Sequence, residues 1–292
     1  MRTSRQQRTL AREASVHGVG FLTGADVHVR FLPAGPNAGV SFVRTDLPGR
    51  PRIAADIRHV APRQRRTVLE TPQATVELVE HVLAALSGLR IDNCVIELDA
   101  SEMPGCDGSS GPFVQALLGA GIVEQMAMRP VFVVDRTYSV AEDDATLAIH
   151  PSGSGEFEVS YSLDYGRGSP IGRQSFSVVI TPESFRDELA TARTFLLAEE
   201  VSLLRTQGIG ARTGPRDLLI FGPDGPIDNA LRFPEEPARH KMLDIVGDLS
   251  LFGCDVCGHV VGHKSGHRLN AALVRQLVEA GLPAVRFQAK AA

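Results

Sequence analysis

Two periodicities of apolar residues alternate along the chain. From residue 9 to 45 the pattern is short and close to period two, which reads as strands at Thr9–Glu13, Val27–Leu32 and Gly39–Arg44, separated by Gly- and Pro-containing turns. The glycine-dense run His17-Gly18-Val19-Gly20-Phe21-Leu22-Thr23-Gly24 lacks the strand–GxGxxG–helix context of a nucleotide fingerprint and reads as a tight hairpin. From Thr75 to Leu86 the period changes: Val76, Leu78, Val79, Val82, Leu83 and Leu86 recur at helical spacing, with Gly88 as a stop. A strand follows at Asn93–Leu98, then a loop over Glu102–Ser109, then a second helix, Phe113–Ala120, opened by Pro112 and closed by Gly121.

At Pro130 the pattern returns to strands: Val131–Val134, Ala145–His150, Glu156–Leu163 and Ser175–Ile180. Helical spacing resumes over Glu183–Leu189. Residues 194–234 are irregular and rich in Gly, Pro and Asp, the mark of an insertion with a small βαβ piece of its own. Met242, Leu243, Ile245, Val246 and Leu249 then define a helix over 237–251, followed by a strand at Gly258–His263 and a closing helix at His267–Glu279. Strands, helix, strand and helix thus occur in each half. The pattern predicts an α+β protein of two similar domains, 1–127 and 128–292, with the boundary near residues 122–130 and two sheets with helices between or beside them.

Composition narrows this picture. A chain of 292 residues with 43% apolar and 22% charged residues can bury a sizeable core. The net charge of −4 gives no reason to expect a nucleic-acid partner. Met1–Arg12 is basic and polar with no apolar stretch behind it, so no secretory signal is expected, and no apolar run is long enough to span a membrane. Four cysteines in a chain this long do not make a disulfide framework, and a cytoplasmic setting is the default expectation.

The chemistry concentrates on two helices. His240 and Asp244, four residues apart, stand side by side on consecutive turns, with Asp248 one turn further on. Taken alone, this segment reads equally as a solvated polar face. Glu80-His81 changes the balance, because a His flanked by Glu sits among apolar residues of another helix. His81, His240 and Asp244 make a three-ligand set of the kind that holds a hydrolytic zinc ion with one open position. Glu80 is then the natural general base, and His267, in Lys264-Ser265-Gly266-His267, a general acid held by Asp248. A competing metal reading is the pair Cys254–Cys257 with His259, His263 and His267 after it. It lacks a second ligand pair at zinc-finger spacing. The basic run Arg63–Arg66 reads as a solvated loop.

Several blocks together resemble the zinc-dependent UDP-3-O-acyl-N-acetylglucosamine deacetylases of lipid A biosynthesis. They are Val79-Glu80-His81, Asp107-Gly108-Ser109 with Pro112-Phe113-Val114, Ala192-Arg193-Thr194-Phe195, His240-Lys241-Met242-Leu243-Asp244 with Gly247-Asp248-Leu249, and Lys264-Ser265-Gly266-His267. The likeness spans about residues 9 to 280. It implies two α+β domains with the helices sandwiched between two sheets and an active site at their junction. It also implies zinc on His81, His240 and Asp244, with Glu80 as base, His267 as acid and Asp248 behind it. Thr194 would serve the oxyanion and Lys241 would face the substrate. For substrate binding it implies Phe195, Lys264 near the diphosphate, and Asp164-Tyr165 near the uridine. The insert, about 195–232, would form the passage for the acyl chain, with Leu196, Val201, Leu218, Leu219 and Ile220 among its residues.

The implied reaction is hydrolysis of the N-acetyl group of UDP-3-O-[(3R)-3-hydroxyacyl]-N-acetylglucosamine by a cytoplasmic monomer of a Gram-negative bacterium. Iron(II) also suits a His2Asp set. The chain departs from the family pattern at Leu22, where a His is usual, at Leu78, where a Thr is usual, and over Gly166–Pro170, which lacks the usual His-Pro. Two other readings remain: a zinc amidase of the same site acting on a different acylated or amide substrate, and a non-catalytic metal-stabilised binding protein.

Overall fold

The computed structural model describes residues 5–280. In chain order the first half holds β1 (Gln6–Leu10), β2 (Ala14–Val19), β3 (Asp26–Pro33), β4 (Val40–Arg44), β5 (Arg52–Ala54), β6 (Val60–Ala61), β7 (Val68–Thr71), β8 (Ala74–Glu77), α1 (Glu80–Gly88), β9 (Cys94–Leu98), α2 (Gly111–Ala120) and β10 (Ile122–Met128). The second half holds β11 (Val131–Val133), β12 (Tyr138–Glu142), β13 (Ala145–His150), β14 (Phe157–Asp164), β15 (Arg173–Val179), α3 (Pro182–Ser184) running into a π turn at Phe185–Leu189, β16 (Phe195–Leu197), α4 (Ala198–Thr206), β17 (Leu219–Gly222), β18 (Gly225–Pro226), α5 (Glu236–Leu249), β19 (Asp255–His263) and α6 (His267–Glu279).

The architecture is mixed α and β, and its two main sheets share one topology. The first runs β2-β3-β9-β4-β5 and the second β12-β13-β19-β14-β15, with β11 added alongside β19. Within each of these five-strand orders, one pairing is parallel: β4 with β9, and β14 with β19. Smaller sheets are β6-β7-β8, β16-β17-β18 and the pair β1-β10. Residues 122–128, within the stretch 122–130 expected to hold the boundary between halves, form β10, antiparallel to β1. Between 194 and 234, β16 and β17 lie parallel with α4 between them, a small βαβ unit.

One expected helix begins late. Residues 74–77 are strand β8, paired with β7, and helix α1 starts only at Glu80. Ala74 and Val76 are buried while Thr75 and Glu77 are half-exposed, the alternation of a strand. Leu78 then adopts a left-handed backbone, φ 59°, which breaks the run before the helix. The apolar spacing of Val76, Leu78 and Val79 mimicked a helix because those residues serve two elements.

From Glu80 to Leu86 every residue of α1 is buried, and in α5 nearly every residue is, including Met242, Leu243, Ile245, Val246 and Leu249. Helices buried all round belong inside the protein rather than on its surface. They cross where Gly247 meets the backbone of Glu80. A Cβ at Gly247 would stand 2.2 Å from the Glu80 carbonyl oxygen, so only glycine permits this approach. Helix α2 seats Phe113 edge-on against Phe31 of β3, with ring centroids 6.3 Å apart. Helix α6 buries Leu269, Leu273, Val274 and Leu277. Each such leucine contributes about 1.5–3 kcal/mol relative to exposure.

Candidate metal centre and acid–base pair

Burial of α1 and α5 brings charged side chains into the interior, and each has a partner or a geometric reason. The first turn of α1 carries Glu80 and His81; α5 carries His240, Asp244 and Asp248. All five are buried. His81 Nε2 lies 3.8 Å and His240 Nε2 3.4 Å from the same oxygen, Asp244 Oδ1. The two imidazole rings are edge to face with centroids 5.0 Å apart. Ligand atoms of these three residues all fall within 4.8 Å of one another, and no other His, Cys, Asp or Glu cluster among the described residues is close enough to hold a metal.

Surrounding contacts set the donor atoms. His240 Nδ1–H donates to the Ala192 carbonyl at 3.0 Å, which leaves the Nε2 lone pair aimed at the cluster. Lys241 Nζ donates to Asp244 Oδ2 at 2.6 Å, while Asp244 Oδ1 is buried with no hydrogen-bond partner. Burial pushes the His81 imidazole down to about 3, with His240 beside it adding to the effect, and lowers His240 as well. Burial would raise the Asp244 carboxyl, but the Lys241 ammonium and the surrounding histidines outweigh it and hold the group well below the usual range. Two neutral imidazoles and one ionised carboxylate with an orphaned oxygen form the donor set of a divalent transition metal. The residues present fit such an ion.

Against this cluster stand the acid–base groups. Glu80 Oε2 accepts the Thr67 amide at 3.0 Å, leaving Oε1 on the open side, 3.8 Å from His267 Nε2. Burial pushes the Glu80 carboxyl up to about 7. His267, the first residue of α6, donates from Nδ1 to Asp248 Oδ2 at 2.8 Å, and its Nε2 lies 3.7 Å from Asp244 Oδ2. Burial would lower this imidazole, but Asp248, Asp244 and Glu80 outweigh it and raise it to about 9. The turn that delivers His267 is tied down by Tyr161, whose hydroxyl donates to the Ser265 carbonyl at 2.6 Å.

The remaining residues singled out from the sequence divide into two groups. Phe195 packs edge-on to His240, with centroids 6.3 Å apart, and so borders the cluster; Tyr165 stands behind it, its ring centroid 6.0 Å from that of Phe195. Thr194 is anchored beside them, its amide donating to the Gly108 carbonyl at 2.7 Å. Lys264 and Asp164 are engaged elsewhere. Lys264 Nζ reaches Asp144 at 2.6 Å, and Asp164 pairs with Arg173 at 3.0 Å. The Cys254–Cys257 pair is two buried free thiols; His259 and His263 turn instead to Ser160 and Ser162, each at 2.8 Å. That competing metal reading is thereby overturned.

Three further groups support the site, and the sequence alone assigns none of them a role. Thr67 follows the Arg63–Arg66 run, and nothing local distinguishes it, yet its hydroxyl donates to Asp248 Oδ1 at 2.5 Å. Asn270 donates to Asp248 Oδ2 at 2.8 Å, and its place three residues after His267, on one helical face, is a usable signal. Arg193 forks onto the fully buried Glu236, with Nε donating to Oε1 at 2.7 Å, which pins the 192–195 segment to the start of α5.

Fold and site together define a mixed α and β protein with a buried His2Asp cluster that could hold a metal ion, flanked by a carboxylate and an aspartate-held histidine. The chain belongs to the family described as LpxC, UDP-3-O-acyl N-acetylglycosamine deacetylase, whose model matches residues 7–279. Curated relatives carry the name UDP-3-O-acyl-N-acetylglucosamine deacetylase. The relative from Chlamydia felis is 40% identical over 276 residues, covering 94% of this chain and 98% of the relative. Those from Myxococcus xanthus and Trichormus variabilis are each 38% identical over 94% of this chain, covering 87% and 98% of their own lengths.

Proposed function

We propose that the protein hydrolyses the N-acetyl group of UDP-3-O-[(3R)-3-hydroxyacyl]-N-acetylglucosamine, releasing acetate and the free 2-amino sugar nucleotide for lipid A biosynthesis. The observation that carries this reading is the convergence of Glu80 and the Asp248–His267 pair on the His81–His240–Asp244 cluster. His81, His240 and Asp244 would hold a zinc ion, which when bound would supply a Lewis acid and make water a competent nucleophile near neutral pH. Glu80 takes the proton from the attacking water as its oxygen adds to the acetyl carbonyl carbon; a buried carboxyl lifted to about 7 is a matched base for this step. Thr194 donates to the oxygen that gains charge. His267, charged and oriented by Asp248, gives its proton to the sugar nitrogen as the C–N bond breaks.

Lys241 faces the bound substrate from its place on Asp244. Phe195 contacts the substrate beside the cluster, Lys264 serves the diphosphate, and Asp164 and Tyr165 serve the uridine. Residues 195–232 guide the acyl chain, a role supported by the buried run Leu218–Phe221. The same reading divides the chain into domains 1–127 and 128–292 with α1 and α5 between their sheets, which the shared strand order of the two sheets supports. It makes the protein a monomer working in the cytoplasm. No helix among the described residues is long and apolar enough to cross a membrane.

Acetate release from the acylated UDP-sugar by the purified, zinc-loaded protein tests the assignment. Release should stop with a chelator, and Glu80→Ala should keep its zinc while kcat falls by about 10²–10⁴-fold. No release by the zinc-loaded wild type refutes the activity. Full turnover by Glu80→Ala removes Glu80 from the chemistry.

A further inference from the structure

Thr67 touches both proton-transfer groups at once. It sits at the entry to β7, in the first half of the chain. Its backbone amide donates to Glu80 Oε2 at 3.0 Å, and its hydroxyl donates to Asp248 Oδ1 at 2.5 Å. The same hydroxyl oxygen is 3.2 Å from His267 Nδ1. Thr67 is 4% exposed, so water does not compete for these contacts. Its position is held from both sides, because the Thr67 carbonyl accepts the Val79 amide at 3.4 Å, one residue before Glu80.

Asp248 needs this contact. Its Oδ2 accepts from His267 Nδ1 and from Asn270 Nδ2, each at 2.8 Å, and its Oδ1 accepts from Thr67. A carboxylate fixed only through Oδ2 can rotate about its Cβ–Cγ bond. The third bond, at Oδ1, stops that rotation and with it the swing of the imidazole. The amide of the same residue meanwhile occupies Glu80 Oε2, so the free oxygen is the one toward His267 Nε2. One rigid residue thus sets the angle of the base and, through Asp248, the angle of the acid.

We infer that Thr67 is a positioning residue that holds the Glu80 carboxylate and the Asp248–His267 pair in mutual register. This rests on the deacetylase reading. The side chain does not touch the reacting atoms; it acts through Asp248. Its hydroxyl, rather than its bulk, carries the effect, and that separates positioning from packing: valine matches the shape of threonine without the hydroxyl, and serine keeps the hydroxyl without the methyl.

The test compares Thr67→Val and Thr67→Ser in the zinc-loaded full-length protein, after wild-type acetate release has been established. A wild type without activity defeats the deacetylase reading, a failure separate from any difference between the two variants. Thr67→Val should lower kcat by about 10–100-fold with KM within about twofold, at unchanged zinc content, while Thr67→Ser stays within about threefold of wild type. A second readout does not depend on turnover. In ¹⁵N-histidine NMR spectra, the hydrogen-bonded Nδ1–H signal of His267 should broaden or shift in Thr67→Val and persist in Thr67→Ser. Wild-type kcat in a folded Thr67→Val, or equal losses in both variants, overturns the inference. Should Thr67→Val fail to fold, a Thr67→Ser protein with a displaced His267 signal and depressed kcat overturns it as well.

Discussion

Asp244 answers to two neighbours with its two oxygens. Oδ2 is taken by the Lys241 ammonium, and Oδ1 is buried without a hydrogen-bond donor, facing His81 and His240. An unsatisfied buried carboxylate oxygen is costly unless a cation completes it. Asp244→Ala should therefore cut the zinc-to-protein ratio well below one in elemental analysis after dialysis. It should also destabilise the metal-free protein by about 1–3 kcal/mol in urea unfolding, because Lys241 loses its carboxylate. Full zinc occupancy in this variant would remove Asp244 from the ligand set. At this scale much is legible in the sequence. His240 and Asp244 are neighbours by helical spacing, and Glu80-His81 is conspicuous within an apolar run. Thr67 is not legible, since its partners lie 13, 181 and 200 residues away and no local pattern marks it.

Among the elements, the crossing of α1 and α5 decides whether those residues meet. The contact is backbone to backbone: Gly247 lies against the Glu80 carbonyl, and an added Cβ would sit 2.2 Å from it. A flexible side chain could yield; a helix backbone cannot. Gly247→Ala should push the helices apart, costing about 1–3 kcal/mol of stability as overpacking does. It should also lower kcat, because it moves Glu80 relative to His267. Chemical denaturation and acetate release on one preparation check both, and a stable, fully active Gly247→Ala protein would contradict the close approach. Helices α2, α5 and α6 are readable from apolar spacing and from Pro112 and Gly121. The start of α1 is not. Val76 is buried in strand β8 and Val82 in α1, and periodicity alone cannot divide a run whose residues pack in both.

For the whole molecule, the core is one contiguous cluster that reaches from Val29 and Phe31 through Val82 and Leu86 to Leu243, Val246 and Val260. The His81–His240–Asp244 cluster, the candidate metal site, occupies a small polar part of that interior. Removing the metal should therefore leave the fold intact. A chelated sample should keep its far-UV circular dichroism and unfold in one cooperative transition, at a lower Tm, with activity lost and then restored by zinc. At free zinc about 100-fold above its Kd, the added stability should be about 2.7 kcal/mol. Loss of secondary structure on chelation would show instead that the metal organises the core. The matched strand order of the two main sheets also belongs to this scale. It is only partly visible in the sequence, as strands and helices recurring in each half, because the shared topology depends on pairings between strands distant along the chain.

By itself, the sequence determined the chemistry available to this protein. Metal-type ligands at helical spacing, a carboxylate beside one of them, and a histidine opening a helix are local facts, fixed by 3.6 residues per turn and by side-chain type. Tertiary structure decided what those groups do to one another. Packing α1 on α5 through Gly247 sets the distances within the His81–His240–Asp244 cluster. Burial there leaves the imidazoles of His81 and His240 neutral, lifts Glu80 to about 7, and lets the surrounding carboxylates keep His267 charged. The physical reason is that desolvation and charge–charge interaction depend on separation in space, which chain spacing does not report once the partners lie on different elements.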